Sequence, residues 1–378
     1  MYTSCACVAR AASVRPKAPS MRFMGVVLKQ CMVLFGANVL FLALKVPGNV
    51  CNLYFSRTMS HTKKPELRFV THQQVNEENW NACIAASRER LVYGYNWYLS
   101  SVCRTWCAVV EEQDGEYVSV FPLPLGHRLG QEQIRQPYFT QQLGLFTTAA
   151  SKYKDVADYV ALIPAKYKSV YLQLNTQNNL TTSITGYETS ARLTYHLNLQ
   201  PAYPALVRGY STNQKRNLKR AQQSGLCLDP LQSIAPLIQL FKGTKGKELA
   251  EMKPKHYKLL EQLHHELEKQ GVAELLQART AEGEMQAAAL LVHQPDKIIF
   301  LFGASSASGR QTGAMALLLD SVIQRYAGTA RALDFEGSMV PSVAKFYANF
   351  GASPISYVSL RHQHTPWYLA WKRKTYIS

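Results

Sequence analysis

Residues 334–352, DFEGSMVPSVAKFYANFGA, gather two carboxylates, a hydroxyl, a lysine and a phenol around one strand-to-helix turn. Asp334 and Glu336 close a β-rich run, and strand alternation points them to the same side. Gly337 and Ser338 follow. Lys345 and Tyr347 then lie on an amphipathic stretch that stops at Gly351. On a helix, Val343, Phe346 and Phe350 share the core-facing stripe. Tyr347 sits beside that stripe, so its ring can pack while its hydroxyl reaches a cleft. A phenol so placed can give a proton to a leaving thiolate. A packed core tyrosine fits the same spacing, and Asp334 and Glu336 also read as a strand-end acceptor and a solvated carboxylate.

The segment just before it, GASSASGRQTGAMALLLDSVI (303–323), reads as a strand end, a Ser/Gly-rich loop with Arg310 and Gly313, and a helix beginning at Ala314. Such a junction offers unpaired backbone amides and a helix N-terminus to an anion, with Arg310 adding charge. An ordinary βα loop has the same composition. A second basic feature is the 203–225 helix, where Lys215, Arg216, Lys219 and Arg220 form two adjacent i, i+4 rows. That face suits an acceptor phosphate, a nucleic acid, a membrane headgroup or plain solvent, but carries no interleaved aromatics that would stack bases.

These segments sit in a chain of 378 residues, long enough for two domains. Its alternating strand-like and helix-like stretches predict mixed sheets of the α/β kind. Two helices are predicted over 79–102, broken near Tyr93–Gly94. A hairpin is predicted over 107–125, turning at Asp114–Gly115. A helix is expected over 151–167, strands over 169–176 and 190–199, and helices over 203–225, 231–245 and 254–270. Three strands are read over 274–306, a helix over 313–327 and a strand over 330–336. The order of elements recurs, so two units, 66–200 and 201–378, are expected, with the active site in the second.

The net charge is +17. Residues 1–65 hold nine Lys or Arg and no Asp or Glu, which leaves 42 − 9 = 33 basic against 25 acidic residues, or +8, for the body. That arm is basic and apolar; 25–44 is a marginal membrane anchor or a targeting segment. An over-extended start is the third reading, with Met59 a natural beginning. A cytoplasmic protein is expected, membrane-associated only if 25–44 is expressed and inserts. Residues 364–374, HTPWYLAWKRK, read as a packed tail. The eight cysteines follow no metal or disulfide spacing, so buried free thiols and no metal are expected.

The loop GASS…GR, the helix AMALLLDSVI, the strand LDFEGS and the end KFYANFGA together resemble the second unit of FemAB-like acyltransferases, proteins with two tandem GNAT-type folds. YSTNQKRNLKRAQQSGL (210–226) is similar to that family's basic segment opening the second unit. The resemblance implies two tandem GNAT-like units and acyl transfer to an amine. It further implies donor phosphates on Arg310, Gly313 and Ala314, an oxyanion donor near Gly303, and Glu336 or Asp334 as proton acceptor. Lys215, Arg216 and Lys345 are the candidate substrate-binding residues. The tRNA-dependent peptidoglycan branch usually ends in Phe-Lys-x-Gly-Phe-Gly. Tyr347 stands in place of that lysine, as in coenzyme-A-using GNAT enzymes, so acyl-CoA is the expected co-substrate. Met315 departs from their Gln/Arg-x-x-Gly-x-Gly/Ala loop. An aminoacyl-tRNA-dependent transferase and a non-catalytic binding protein on the same fold are the alternatives.

Overall fold

The Asp114–Gly115 turn forms as its sequence demands, because both residues take positive φ, +54° and +88°, the conformation a two-residue hairpin needs. The structure is a computed structural model. It describes the backbone of residues 31–36, 39–46 and 49–52, and residues 66–128, 130–180, 183–247, 252–337 and 339–363. Ser338 and the aromatic tail from 364 lie outside the described residues.

The chain divides into two units, Met1–Thr62 and Lys63–Ser378. In the first, β1 (Cys31–Gly36), β2 (Val39–Val46) and β3 (Asn49–Asn52) form an antiparallel sheet. Much of the apolar 25–44 segment is therefore strand. Among the described residues no helix is long and apolar enough to cross a membrane.

The second unit begins with β4 (Glu66–Thr71), α1 (Glu77–Ala86), a 3-10 turn at Val92–Gly94 and α2 (Asn96–Val102). The helix break expected near Tyr93–Gly94 is thus present. The hairpin strands are β5 (Trp106–Gln113) and β6 (Glu116–Arg128). Next come β7 (Gln131–Arg135), β8 (Phe146–Thr147), α3 (Val156–Val160), β9 (Ser169–Gln173) and β10 (Glu188–Asn198). α3 has only five residues where a helix over 151–167 was expected. The predicted 203–225 helix is two, α4 (Tyr203–Gly209) and α5 (Thr212–Gln223), because the Ser211 hydroxyl accepts the Gln214 N–H and starts a new helix.

The chain continues through β11 (Cys227–Pro230), α6 (Ala235–Gly243), α7 (Pro254–Lys269), β12 (Ala273–Arg279), β13 (Met285–His293) and β14 (Lys297–Ser305). It ends with α8 (Ala307–Thr312), α9 (Ala314–Tyr326), β15 (Ala332–Asp334), α10 (Pro341–Ala348) and β16 (Ser353–Gln363).

One mixed sheet runs β11-β12-β13-β14-β15-β10-β16-β9-β7-β6-β5-β4, with β8 beside β6. The residue-200 division falls within this sheet, since β10 lies between β15 and β16. Neighbouring strands are antiparallel at every step but two, β14 with β15 and β7 with β9. Side-chain alternation sends Leu290, Val292 and Ile299 into a core shared with α1, α2, α6 and α7. Leu291, Ile298 and Leu333 enter a core on the opposite face, shared with α5, α9 and α10. Cys83, Cys103 and Cys107 are buried, whereas Cys227 is exposed.

Candidate active site

β14 and β15 pair only through Lys297–Ala332, Ile298–Leu333 and Ile299–Asp334. β14 then runs on to Ser305 beside β13, and residues after Asp334 depart from it. At this parting β14 carries a bulge: Leu290 pairs with Phe302 and Leu291 with Phe300, so Leu301 has no opposite residue. The bulge turns both Leu301 and Phe302 toward the α2/α6/α7 core, while Phe300 packs in the other.

Asp334 is buried and saturated. Its Oδ1 accepts the Thr194 hydroxyl and the Glu336 N–H, both at 2.9 Å. Its Oδ2 lies 3.0 Å from His196 Nε2 and 3.6 Å from Lys297 Nζ. Burial pushes the Asp334 carboxyl up, but His196, Lys297 and Thr194 outweigh it and hold the pKa below the usual carboxylate range. So paired, Asp334 is an anion that fixes the turn after β15.

That turn puts Glu336 at φ +54°, a strained setting for a residue with a Cβ. The short Asp334–Glu336 bond stabilises it in the manner of an Asx turn. Gly337 is required next, because a Cβ there would sit 1.7 Å from the Leu193 carbonyl oxygen of β10. Part of the Glu336 residue remains accessible, while its carboxyl end is enclosed and accepts a hydrogen bond from the Tyr93 hydroxyl. Burial raises the Glu336 pKa to about 8; Tyr93 opposes the rise and the Asp334 charge adds to it. Such a carboxyl is poised between acid and base near neutral pH.

Tyr347 lies on α10, in the core across the sheet, stacked on Phe335 at 5.0 Å and edge-on to Phe300. Its hydroxyl makes no hydrogen bond among the described residues. Burial, then the Glu336 and Asp334 charges, raise its pKa and keep it protonated. The packed ring matches the core reading of its spacing, and the Glu336 charge acts on the hydroxyl.

The expected phosphate loop has a different form. Residues 307–312 are helix α8, because the Ser306 hydroxyl accepts the Gly309 N–H and is itself tied to Gln286. Arg310 is exposed and donates to the Ser305 carbonyl. Gly313, at φ +85°, joins α8 to α9 where the α5 backbone approaches closely. Ala314 is fully buried, and Gly303 of β14 pairs with Ala289 of β13. Lys215 and Arg216 are exposed on α5, Lys215 donating to the Arg208 carbonyl. Lys345 is exposed, about 200° around α10 from Tyr347. The structure therefore brings together Asp334, Glu336 and Tyr347, but leaves Lys345 outside that group.

Five contributors are missing from the sequence reading: Tyr93, Thr194, His196, Lys297 and the bulge at Leu301. Only the helix break at Tyr93–Gly94 was a signal, and it told of a turn, not of a contact 243 positions away.

Residues 208–338 match the family model of the acetyltransferase (GNAT) domain. No curated protein matches the chain. Among solved structures the chain is similar to FemX, at 12% identity and a TM-score of 0.56, covering 78% of this chain and 96% of that one. It is also similar to a conserved protein of unknown function from Bacteroides thetaiotaomicron, at 9% identity and a TM-score of 0.54, covering 76% and 97%. At these identities the likenesses establish the fold. Residues 208–338 are thus identified with the acetyltransferase (GNAT) domain, and the chain as a whole shares the fold of FemX.

Proposed function

We propose that the chain transfers an acyl group from a thioester, acyl-CoA in type, to an amine acceptor. The observation that carries this reading is the enclosed Glu336 carboxyl at the point where β14 and β15 part. As the amine nitrogen attacks the acyl carbonyl, a C–N bond forms, the C–S bond breaks and Glu336 takes the nitrogen's proton. Tyr347, held protonated, donates to the departing thiolate. The bulged stretch of β14 ahead of Gly303 supplies a strand amide for the developing oxyanion. Arg310 and the backbone around Gly313 and Ala314 contribute to the donor's phosphate subsite, and Lys215 and Arg216 lie ready for an anionic part of either substrate.

One observation favours a second reading, aminoacyl-tRNA-dependent transfer to a cell-wall precursor. Helix α8 takes the place of an open phosphate loop after β14. Titrating the full chain with CoA, acetyl-CoA and a charged tRNA separates the two. Saturable CoA binding, weakened several-fold by Arg310→Ala, is the expected result. Binding of charged tRNA alone overturns the thioester donor in favour of the second reading.

A further inference from the structure

Glu336 is the one carboxyl at the strand parting with a pKa near neutrality, and the group that touches it comes from the far end of the unit. Tyr93 lies in the 3-10 turn between α1 and α2, is 1% exposed, and donates its hydroxyl to Glu336 Oε1. We propose that Tyr93 is the positioning residue of the transfer reaction: its hydroxyl holds the Glu336 carboxylate in place and sets how readily that carboxylate takes up a proton. This deepens the proposed function and rests on it, since Glu336 is the base of that reading.

The placement leaves Tyr93 little other purpose for its hydroxyl. Its ring is fixed edge-on against Tyr98 at 5.4 Å, and the Tyr98 hydroxyl is committed elsewhere, to the Phe139 carbonyl. A phenylalanine at 93 would pack equally well, so the hydroxyl is explained by Glu336 alone. Burial, followed by the Glu336 charge, keeps Tyr93 protonated, so its O–H proton is available to the Glu336 carboxylate. A donor to a carboxylate stabilises the charged form.

The other groups that bear on Glu336 leave this role to Tyr93. Asp334, from β15, repels the Glu336 charge and is itself contacted by His196 and Lys297. Tyr98 on α2, Tyr347 on α10 and Tyr357 on β16 sense the Glu336 charge. None of these three makes a hydrogen bond to its carboxyl, and Tyr357 bonds Gln173 instead. Arg192 on β10 acts on Tyr357.

The backbone of the turn is held in the same way, through Thr194 and His196 on Asp334. The catalytic turn of the GNAT domain is thus positioned by residues that lie outside the matched 208–338 segment.

The test is the titration of Glu336 in the full chain, followed by NMR of 13C-carboxyl-labelled glutamate, with Glu336→Gln assigning the signal. Tyr93→Phe should raise the midpoint by about one to two pH units. Tyr98→Phe, which removes an equally buried hydroxyl that does not touch Glu336, should move it by much less. If Tyr93→Phe fails to fold, 3-fluorotyrosine at position 93, a stronger donor, should shift the midpoint downward. Equal midpoints in the Tyr93 and Tyr98 variants, or no response to the fluorinated residue, would overturn the proposal.

The pH–rate profile of acyl transfer gives the second readout. The rising limb of the Tyr93→Phe enzyme should move up by the same interval, with activity recovered at high pH. A loss at every pH would make Tyr93 merely structural. If no thioester or charged tRNA supports transfer, the proposed function fails, while the NMR titration still decides whether Tyr93 governs Glu336.

Discussion

The sheet contains two parallel strand pairs that part after a short register, and the chain treats them in opposite ways. β7 and β9 pair at Ile134–Val170 and Arg135–Tyr171, and then separate. There the gap is closed by side-chain amides. Gln136 donates to the Thr140 carbonyl and accepts the Gln173 N–H, and Leu143 rejoins β9 through Leu174. Asn175 and Asn178 bind the carbonyls and N–H beyond, so neutral amides complete the hydrogen bonding of this parting. β14 and β15 part in the same geometry, but the chain places Glu336 there with a single phenol on its carboxyl. Both partings fold; the second encloses a carboxyl whose pKa is raised toward neutrality. The stitched one has neutral groups whose bonds are complete, whereas the other stores the cost of a buried carboxyl and a positive φ.

Glu336→Gln breaks that contrast most sharply by making the second parting resemble the first. Acyl transfer should fall about 10²- to 10⁴-fold, the range that general bases supply, read as kcat/KM with the donor identified by titration. Stability should change in the other direction. A carboxyl whose pKa is raised to about 8 favours the folded state fully only below its unfolded value. That contribution is lost as pH rises from the ordinary glutamate range through 8. Replacing it with an amide should therefore raise stability at pH 8 by on the order of 4 kcal/mol, read as a higher thermal midpoint, and hardly change it at pH 4. In the unsubstituted enzyme, activity should climb with pH to a plateau above about 8. A profile flat from pH 6 to 9 would remove Glu336 from the role of base.

Tyr347→Phe sharpens the same contrast with a smaller effect. The ring stack on Phe335 is retained, so folding should be unchanged, and kcat should drop about tenfold to a hundredfold if the hydroxyl donates in the transition state. The loss should be milder with thioesters whose leaving thiol is more acidic. An unchanged rate would return Tyr347 to being a packed core tyrosine.

The 334–352 segment was legible because its chemistry is local: β15, the turn and α10 follow directly from an acidic strand end, Gly337 and an apolar stripe. The hairpin and α9 were legible for the same reason. What the sequence hid was either a cap or a distant contact. Residues 307–312 look like a loop by composition, yet Ser306 nucleates a helix by taking the Gly309 N–H. β16, SPISYVSLRHQ, went unread, and it is ordered by insertion between β10 and β9. Tyr93 meets Glu336 only after β10 has been placed between β15 and β16, and no periodicity over a dozen residues encodes that meeting. The three residues brought together, Asp334, Glu336 and Tyr347, lie within fourteen positions of each other. Lys345 also lies within that span, yet helix geometry turns it away.

Gln136→Leu tests the stitched parting and should leave chemistry at the other untouched. The substitution keeps the buried volume but removes both amide bonds, leaving the Gln173 N–H and the Thr140 carbonyl without partners in an interior where each costs about 1–3 kcal/mol. Some of that is offset by the added apolar burial, so a net loss of about 2 kcal/mol is expected in denaturant unfolding. The Glu336 midpoint and the kcat/KM of the folded enzyme should match those of the unsubstituted chain. A shifted midpoint would mean that the two partings are coupled through the sheet. The closed one would then support the reactive one by its rigidity, beyond completing its own hydrogen bonds.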